Sequence, residues 1–197
     1  LLKENELSIV KKGKVYAEKV IKKNIEEIEF REGQIRDGGT YVITGGTGGI
    51  ALEIAKEISR DNIVNIVLIS RSYIEGENWG KLLNTETNIK KKRLFETIIE
   101  IEKNGSKVTY ESCDVTDYNG LIETFDKIRK DYNSIDGVFH CAGIAGNGFI
   151  ISKDEQTFNS VIKPKIDATI NIYKALKKES YDFLVLFSSV AALMALP

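Results

Sequence analysis

The sequence has 197 residues, of which 42% are hydrophobic, and its formal net charge is −1. This composition supports a buried core, and the balanced charge excludes the overall basic field that nucleic-acid binding would require. No run of about 18 apolar residues is present, so the sequence predicts no membrane span. The two cysteines, Cys113 and Cys141, fall in predicted strands or at their ends. They indicate buried apolar thiols in a reducing compartment, and hence a cytoplasmic protein.

Residues 1–37 differ from the rest of the chain in their pattern of apolar and charged residues. Strand-like segments at 6–10 and 15–16 flank a Lys-Lys-Gly-Lys turn at 11–14, which predicts a β-hairpin. The charged stretch 19–31 fits either a linker or a short helix. We therefore interpret 1–37 as the last hairpin of a preceding structural subdomain, followed by its linker. The chain begins without Met and stops abruptly at Pro197, so we expect a piece of a longer polypeptide.

From Thr40 onward, strand and helix patterns alternate. Strands are predicted at 40–44, 62–70, 107–113, 135–141 and 183–187, and 62–70 is almost continuously apolar, as in a strand covered on both faces. The stretches between them predict helices at 50–58, 82–103, 117–130, 153–160 and 164–177. This alternation predicts an α/β fold with a doubly wound parallel sheet of the Rossmann type. The predicted domain occupies 38–197 and is truncated at its C-terminus.

A cluster of glycines follows the first of these strands, in the stretch T-Y-V-I-T-G-G-T-G-G-I-A at 40–51. Glycines allow a sharp turn and let a pyrophosphate approach the backbone, and the N-terminus of the next helix attracts the anion. The stretch fits both the general dinucleotide fingerprint and the Thr-Gly-x-x-x-Gly-x-Ala version of short-chain dehydrogenases, so its frame stays open. The predicted cofactor-binding residues here are Thr44, Gly45, Gly46, Thr47, Gly48, Gly49 and Ile50.

The end of the second strand predicts which dinucleotide binds. NAD-selective sites carry an acidic residue about 20 residues after the glycines, whereas this strand ends in Ser70-Arg71-Ser72. A guanidinium with neighbouring hydroxyls would pair with a 2′-phosphate, so Arg71 and Ser72 favour NADPH. The alternative interpretation of Arg71 is a surface arginine at a strand end.

Two further strand ends carry candidate cofactor residues. Asp114 and Val115 follow the third strand, where the Asp114 carboxylate would either accept a bond from an adenine amino group or cap the next turn. Ala142 and Gly143 follow the fourth strand and would let the backbone pass close to the cofactor. His140, the only histidine, is interpreted as packing under the cofactor rather than as a general base. No metal site is predicted.

Together these motifs resemble the ketoreductase domain of modular polyketide synthases, a branch of the short-chain dehydrogenase/reductase superfamily. The resemblance is carried, in order, by T-G-G-T-G-G-I-A, L-I-S-R-S, C-D-V-T-D, G-V-F-H-C-A-G-I, V-I-K-P-K-I-D-A-T and F-L-V-L-F-S-S-V-A-A-L. It covers essentially the whole chain, and residues 1–37 are similar to the end of the family's non-catalytic structural subdomain.

The resemblance implies a reaction and its partners. NADPH would reduce a β-ketoacyl group, carried as a phosphopantetheine thioester on an acyl carrier protein, to the β-hydroxyacyl thioester. Neighbouring polyketide synthase domains are the other implied partners, and neither a nucleic acid nor a membrane is among them.

Two of the family's four catalytic residues, which are Ser, Tyr, Lys and Asn, match positions in this sequence. Lys165 matches the family lysine, with Lys163 as its rival, and Ser189 matches the serine, with Ser188 as its competitor. The tyrosine and the asparagine would follow about a dozen residues after the serines, beyond the end of the chain. Asn159 keeps open the arrangement of free-standing reductases, which place an asparagine on this helix.

Other functions stay open at this point. The domain would bind NADP(H) without turnover if it were a structural module of a synthase. It would act on nucleotide sugars if it belonged to the extended short-chain dehydrogenases, the epimerases and dehydratases that share the glycine motif. Neither marker of hydroxyl stereochemistry is present, because Ala145-Gly146-Asn147 replaces an L-D-D motif and Met194 stands near the position of a tryptophan.

Overall fold

The computed structural model of the chain describes residues 8–17, 35–74, 78–146, 150–177 and 180–189. By its internal contacts the chain divides into two units, Leu1–Gly33 and Gln34–Pro197. The domain boundary predicted after residue 37 therefore lies a few residues inside the second unit. Asn147 and Met194, the positions of the stereochemical markers, lie outside the described residues.

The described part of the first unit is a β-hairpin. Strands β1 (Ser8–Lys11) and β2 (Lys14–Ala17) pair antiparallel. Lys12 and Gly13 form the two-residue turn between them, with φ angles of 51° and 75°. Positive φ at both central positions matches the twist of a hairpin, which confirms the predicted strand-turn-strand pattern. The linker or helix predicted at 19–31 lies outside the described residues.

The second unit is built on a five-stranded parallel sheet. Its strands are β3 (Thr40–Thr44), β4 (Asn65–Ser70), β5 (Lys107–Ser112), β6 (Gly137–His140) and β7 (Phe183–Leu186). They lie in the order β5-β4-β3-β6-β7, and every neighbouring pair is parallel. The central strand β3 is buried along its whole length, as its apolar sequence requires. The predicted doubly wound sheet is therefore confirmed.

Helices cover both faces of this sheet. They are α1 (Gly49–Ile58), α2 (Trp79–Thr85), α3 (Ile89–Lys103), α4 (Tyr118–Tyr132), α5 (Glu155–Ile162) and α6 (Asp167–Leu176). Ile43 and Leu68 pack with α1, α2 and α3 on one face, whereas Val42 and Ile69 pack with α4 and α6 on the other. Alternating side chains of each strand thus contribute to two cores. In the part of the chain that the structure describes, no helix is long and apolar enough to cross a membrane.

The helix predicted at 82–103 is divided into α2 and α3. The Glu86 carboxylate accepts hydrogen bonds from the backbone N–H groups of Thr87 and Asn88, and the Asn88 side chain caps α3. These local side-chain bonds compete with helical backbone bonds and interrupt the helix. Trp79, predicted in a loop, begins α2 and is buried, with its ring 5.9 Å from that of Phe95.

The last predicted helix also starts later than expected. α6 begins at Asp167, whereas the sequence placed its start at Pro164. The Pro164 carbonyl accepts a hydrogen bond from the His140 ring instead of entering the helix. Pro164 therefore lies on the turn between α5 and α6.

A network of charged groups closes the amino end of the sheet. Arg36 Nη2 lies 2.6 Å from Asp136 Oδ1, and Arg36 Nη1 lies 2.5 Å from Asp182 Oδ2. Asp136 Oδ2 accepts a 2.7 Å hydrogen bond from the backbone N–H of Thr40, the first residue of β3. Because Asp136 directly precedes β6 and Asp182 directly precedes β7, this network joins the starts of three strands.

Candidate active site

A crevice of about 440 Å³ opens at the carboxyl ends of the parallel strands. It spans the ends of β3, β4, β5 and β6. From β3 the chain first builds the sheet outward through β4 and β5, and it then returns to the other side of β3 with β6, so the strand order switches direction between β3 and β6. Ligands of open α/β sheets bind at this kind of switch point. The predicted cofactor residues in its lining are Gly45, Thr47, Gly48, Arg71, Asp114, Val115, Ala142 and Gly143.

The other predicted cofactor residues lie around the crevice rather than in its lining. Thr44 and Gly46 are buried at the end of β3 and the start of the glycine turn. Gly49 and Ile50 are exposed and form the first positions of α1. Ser72 lines a smaller neighbouring cavity of about 180 Å³.

Two glycines of the turn occupy positions where a larger residue would clash. Gly45 has a φ of +71°, and a Cβ added there would lie 2.8 Å from the backbone N of Ala142. A Cβ on Gly46 would lie 2.7 Å from Leu68 Cβ, and the Gly46 N–H donates to the Ile69 carbonyl at 2.9 Å. Because they lack a side chain, these glycines allow the turn to pack closely against β4 and the end of β6. They also leave the backbone N–H groups accessible to a ligand.

The N-terminus of α1 has no side-chain cap, because its N-cap residue is Gly48. In contrast, side chains accept backbone N–H bonds at the starts of α2, α3, α4 and α5, from Asn78, Asn88, Asp117 and Asp154. A helix N-terminus without a side-chain cap presents N–H groups and partial positive charge to an anion. This end of α1 therefore fits a pyrophosphate.

Arg71 directly follows β4 and lies in the crevice lining. Its side chain is exposed, and among the described residues it forms no salt bridge. Lys90 and Lys91 line the small cavity that Ser72 also lines, and Lys91 lies 3.8 Å from the Glu86 carboxylate. This environment suits a phosphate better than the two hydroxyls of an unmodified ribose.

Asp114 lies in the crevice lining, on the turn that follows β5. Its Oδ1 accepts hydrogen bonds from the Thr116 backbone N–H at 2.9 Å and from the Thr116 hydroxyl at 2.8 Å. Asn171, on α6, supports the same turn by donating to the carbonyls of Val115 and Thr116. The turn-capping role considered for Asp114 is thus present, and it uses only one carboxylate oxygen.

His140 is 4% exposed, and both of its ring nitrogens are hydrogen-bonded. Nδ1 lies 2.7 Å from Thr44 Oγ1, and Nε2 lies 2.8 Å from the Pro164 carbonyl oxygen. Burial lowers the pKa of His140, and the positive charge of Lys165 acts in the same direction. These contacts agree with the interpretation of His140 as a packing residue rather than a general base.

Two thiols, those of Cys113 and Cys141, lie in the crevice lining. Burial raises the pKa of Cys141 to about 11, and burial also raises the pKa of Cys113. A cysteine nucleophile acts as a thiolate, so neither residue is suited to covalent catalysis. Cys113 is buried, as predicted, whereas Cys141 is only half-buried.

The candidate catalytic side chains lie near the same end of the sheet. Lys163 and Lys165 stand on the turn between α5 and α6, and both are exposed. Lys163 is in the crevice lining, whereas Lys165 lies outside it. Ser189 is exposed and follows the carboxyl end of β7, where the Phe187 N–H donates to the His140 carbonyl at 3.2 Å. The catalytic roles of Lys165 and Ser189 stay predictions.

Two contributions to the site were not predicted from the sequence: the hydrogen bonds that Asn171 donates to the turn after β5, and the bond that the Pro164 carbonyl accepts. Asn171 is buried on a helix face that it shares with Ala168 and Ile172. A polar residue on an otherwise apolar stripe was the signal that could have identified it. No local signal marked the Pro164 carbonyl, because its partner His140 lies 24 residues away in sequence.

Comparison with known proteins assigns the chain to a family. The family model described as the KR domain matches residues 39–197 of the chain. The polyketide synthase PksN of Bacillus subtilis (strain 168) is 28% identical over 186 residues, which cover 92% of this chain and 3% of PksN. PksM of the same strain is 32% identical over 161 residues, which cover 82% of this chain and 3% of PksM. The chain thus spans only a small part of the length of these relatives.

Solved structures show the same fold. A ketoreductase domain from the bacillaene assembly line has a TM-score of 0.73 at 26% identity, covering 93% of this chain and 40% of that one. An N-terminal ketoreductase from the macrolactin assembly line has a TM-score of 0.71 at 23% identity, covering 91% and 31%. The family is one of oxidoreductases with a nicotinamide cofactor. The chain belongs to the KR domain family, the ketoreductase domains of polyketide synthases within the short-chain dehydrogenase/reductase superfamily.

Proposed function

We propose that this chain is the cofactor-binding part of a ketoreductase that uses NADPH to reduce a β-ketoacyl thioester to the β-hydroxyacyl thioester. One observation carries the proposal. A glycine turn, a helix N-terminus without a side-chain cap, and an arginine without a salt bridge among the described residues meet at one crevice. Family membership supports the reaction class, whereas NADPH and the thioester substrate are additions of the proposal.

The residues of the crevice fit a phosphorylated dinucleotide. The N-terminus of α1 would face the pyrophosphate, and Arg71 would pair with the 2′-phosphate. A Cβ added to Gly143 would meet no atom of the described residues within 4 Å, so this residue leaves open space in the crevice lining. Preference for NADPH over NADH follows from Arg71 if the adenosine ribose lies at the end of β4.

The reduction adds a hydride to the ketone carbon and a proton to the ketone oxygen. The nicotinamide cofactor, when bound, would supply the hydride. The Ser189 hydroxyl would donate a hydrogen bond to the ketone oxygen as negative charge develops there. The Lys165 ammonium would lower the pKa of the proton donor, which the family resemblance assigns to a tyrosine beyond Pro197.

The partners are proposed from the relatives. The matched synthases are far longer than this chain, which supports neighbouring polyketide synthase domains as partners. An acyl carrier protein would present the β-ketoacyl-phosphopantetheine at the crevice. The cytoplasmic location predicted from the sequence stays a prediction.

The test compares this chain with a polypeptide extended by about a hundred residues, a length set by the usual size of a domain. Each is mixed with NADPH and a β-ketoacyl thioester mimic, and the absorbance of the reduced nicotinamide is followed. We expect turnover only in the extended protein, because it adds the proton donor. In that protein, Lys165→Ala and Lys163→Ala decide between the two lysines, and we expect the larger loss of rate with Lys165→Ala.

The other outcomes are equally informative. NADPH binding without turnover in either protein would favour a catalytically silent structural module. An extended protein that does not bind NADPH would overturn the assignment of the crevice.

A further inference from the structure

We propose that His140 is a positioning residue that fixes the turn between α5 and α6 against the end of β3, and thereby shapes the cofactor crevice. The proposal rests on the proposed function, because the cofactor is the ligand whose affinity it concerns. His140 is outside the crevice lining, yet it ends β6 and contacts both Thr44, which ends β3, and Pro164, which lies on the turn.

Hydrogen-bond chemistry determines the form of the ring. The Pro164 carbonyl oxygen, 2.8 Å from Nε2, is only an acceptor, so Nε2 carries the proton. In the neutral ring Nδ1 is then an acceptor, and the Thr44 hydroxyl donates to it from 2.7 Å. Thr44 Oγ1 in turn accepts from the Ala142 backbone N–H at 3.3 Å. The three hydrogen bonds therefore point the same way: the Ala142 N–H donates to Thr44, the Thr44 hydroxyl donates to His140, and the His140 ring donates to the Pro164 carbonyl.

This chain of hydrogen bonds joins separate parts of the crevice wall. Ala142 and Pro164 both line the crevice, at the end of β6 and on the α5–α6 turn. Thr44 and His140, which connect them, are 0% and 4% exposed. Water therefore does not compete for these bonds, and each is stronger than it would be at the surface.

The bond to Pro164 is the link that positions the lysines. Pro164 is buried, and its carbonyl would lose its partner if the His140 donor were removed. A buried carbonyl without a partner is unfavourable, so the turn would move to expose it to water. Lys163 and Lys165 flank Pro164 in the sequence and would move with it.

Two variants separate the roles of the two ring nitrogens. A glutamine side chain ends near the position of Nε2, whereas an asparagine side chain ends near the position of Nδ1. His140→Gln therefore keeps a donor for Pro164, and His140→Asn keeps only a partner for Thr44. We expect His140→Asn to raise the Kd for NADPH about tenfold and His140→Gln to raise it less than about threefold.

Thermal unfolding provides the matched control, because both variants remove the same ring from the same buried position. Similar losses of stability with different losses of affinity separate positioning from packing. An equal loss of NADPH affinity in the two variants would overturn the positioning role.

The position of the turn is also measurable without cofactor. The amides of Lys165 and Ile166 donate to the Ile162 carbonyl at 2.9 Å, and we expect them to exchange with solvent faster in His140→Asn than in His140→Gln. The Leu121 amide, which begins the bonding of α4, is the reference and should be unaffected. The chain has a single histidine, so nitrogen-15 spectra of the wild-type ring give one unambiguous signal, expected for the Nε2–H tautomer.

The outcomes distinguish this proposal from the proposed function. Equal exchange in the two variants, or an Nδ1–H tautomer in the wild type, would overturn the role of His140 whether or not cofactor binds. A wild-type chain that fails to bind NADPH would contradict the proposed function, and the exchange and tautomer measurements would still decide the role of His140.

Discussion

Strand β6 has a hydrogen-bond network at each end, and the two networks differ in chemistry and in exposure. At the amino end, Asp136 is a carboxylate that binds Arg36 and a backbone N–H of β3. At the carboxyl end, His140 is a neutral ring that binds Thr44 and Pro164. The first network joins strand starts at an edge without the cofactor crevice, and the second lies beneath that crevice.

The difference indicates how one sheet separates stability from binding. In parallel sheets the ligand site forms at the carboxyl ends of the strands, where helix N-termini also face. A fixed charge under that crevice would add its own field to that of the bound phosphates, whereas a neutral network adds none. We therefore expect changes at the amino end to affect folding alone, whereas changes at the carboxyl end affect cofactor binding and, where they disturb packing, folding as well.

The largest effect is expected from Asp136→Ala. This change removes the acceptor of the buried Thr40 N–H, and we expect the free energy of unfolding to fall by about 2 kcal/mol in denaturant titrations. The Kd of the folded protein for NADPH should change less than about twofold, because the crevice lies at the other end of the sheet. Asp182→Ala is the control and should cause a clearly smaller loss, because its Arg36 partner is more than half exposed. A large loss of NADPH affinity in Asp136→Ala would contradict the separation of roles.

A pair of glycine variants sharpens the comparison at the carboxyl end. Gly45→Ala places a Cβ against the backbone of Ala142 at a positive φ, and we expect the free energy of unfolding to fall by about 2 kcal/mol. Within the part of the chain that the structure describes, a Cβ at Gly143 meets no atom within 4 Å, so Gly143→Ala should leave the free energy of unfolding within about 0.5 kcal/mol of wild type. We expect it to weaken NADPH binding several-fold, measured by nicotinamide fluorescence. Unchanged affinity would mean that the cofactor does not pass Gly143.

Charge reversal at Arg71 tests which dinucleotide the crevice prefers. Arg71→Asp should raise the Kd for NADPH about tenfold, or about 1.4 kcal/mol, because it replaces the partner of the 2′-phosphate with a like charge. The Kd for NADH should change far less. Arg60→Asp makes the same charge change outside the crevice lining, at a residue paired with Glu57, and serves as the control. Equal losses for NADPH and NADH would show that Arg71 does not contact a 2′-phosphate.

The smallest effect is a pH dependence of stability that arises from His140. Because burial lowers the pKa of His140 in the folded state, the unfolded chain takes up the proton first as the pH falls. This contribution to the free energy of unfolding is fully present above about pH 6.5 and is lost below it, until the folded ring also titrates. His140→Gln should remove the contribution, measured as the difference between the two stability curves. Parallel curves for wild type and variant would exclude it.

The sheet and the glycine turn were predictable because their signals are local. Apolar runs, glycines and strand-end residues occur in the order that the fold uses, so eight of the residues that line the crevice could be named from the sequence. The bonds that organise the crevice are not local. Thr44 was predicted to bind cofactor, but its hydroxyl contacts His140, 96 residues away, and the Ala142 backbone N–H. Such pairings depend on how β3 and β6 align in the sheet.

Local rules were wrong where tertiary contacts or nearby caps opposed them. Proline is over-represented in the first turn of helices, but Pro164 precedes α6 and its carbonyl accepts a hydrogen bond from His140. The periodicity of the sequence predicted one helix at 82–103, but the side-chain bonds of Glu86 and Asn88 interrupt that helix. The ambiguity between Lys163 and Lys165 has the same origin, because sequence spacing alone does not say which of two lysines on one turn faces the crevice.

The most direct test of cofactor binding at the crevice compares backbone amide spectra of the chain with and without NADPH. We expect chemical-shift changes in the glycine turn at 45–50 and at Ala142 and Gly143, with little change near Arg36 and Asp136. Changes confined to the amino end of the sheet, or no changes at high NADPH concentration, would contradict it.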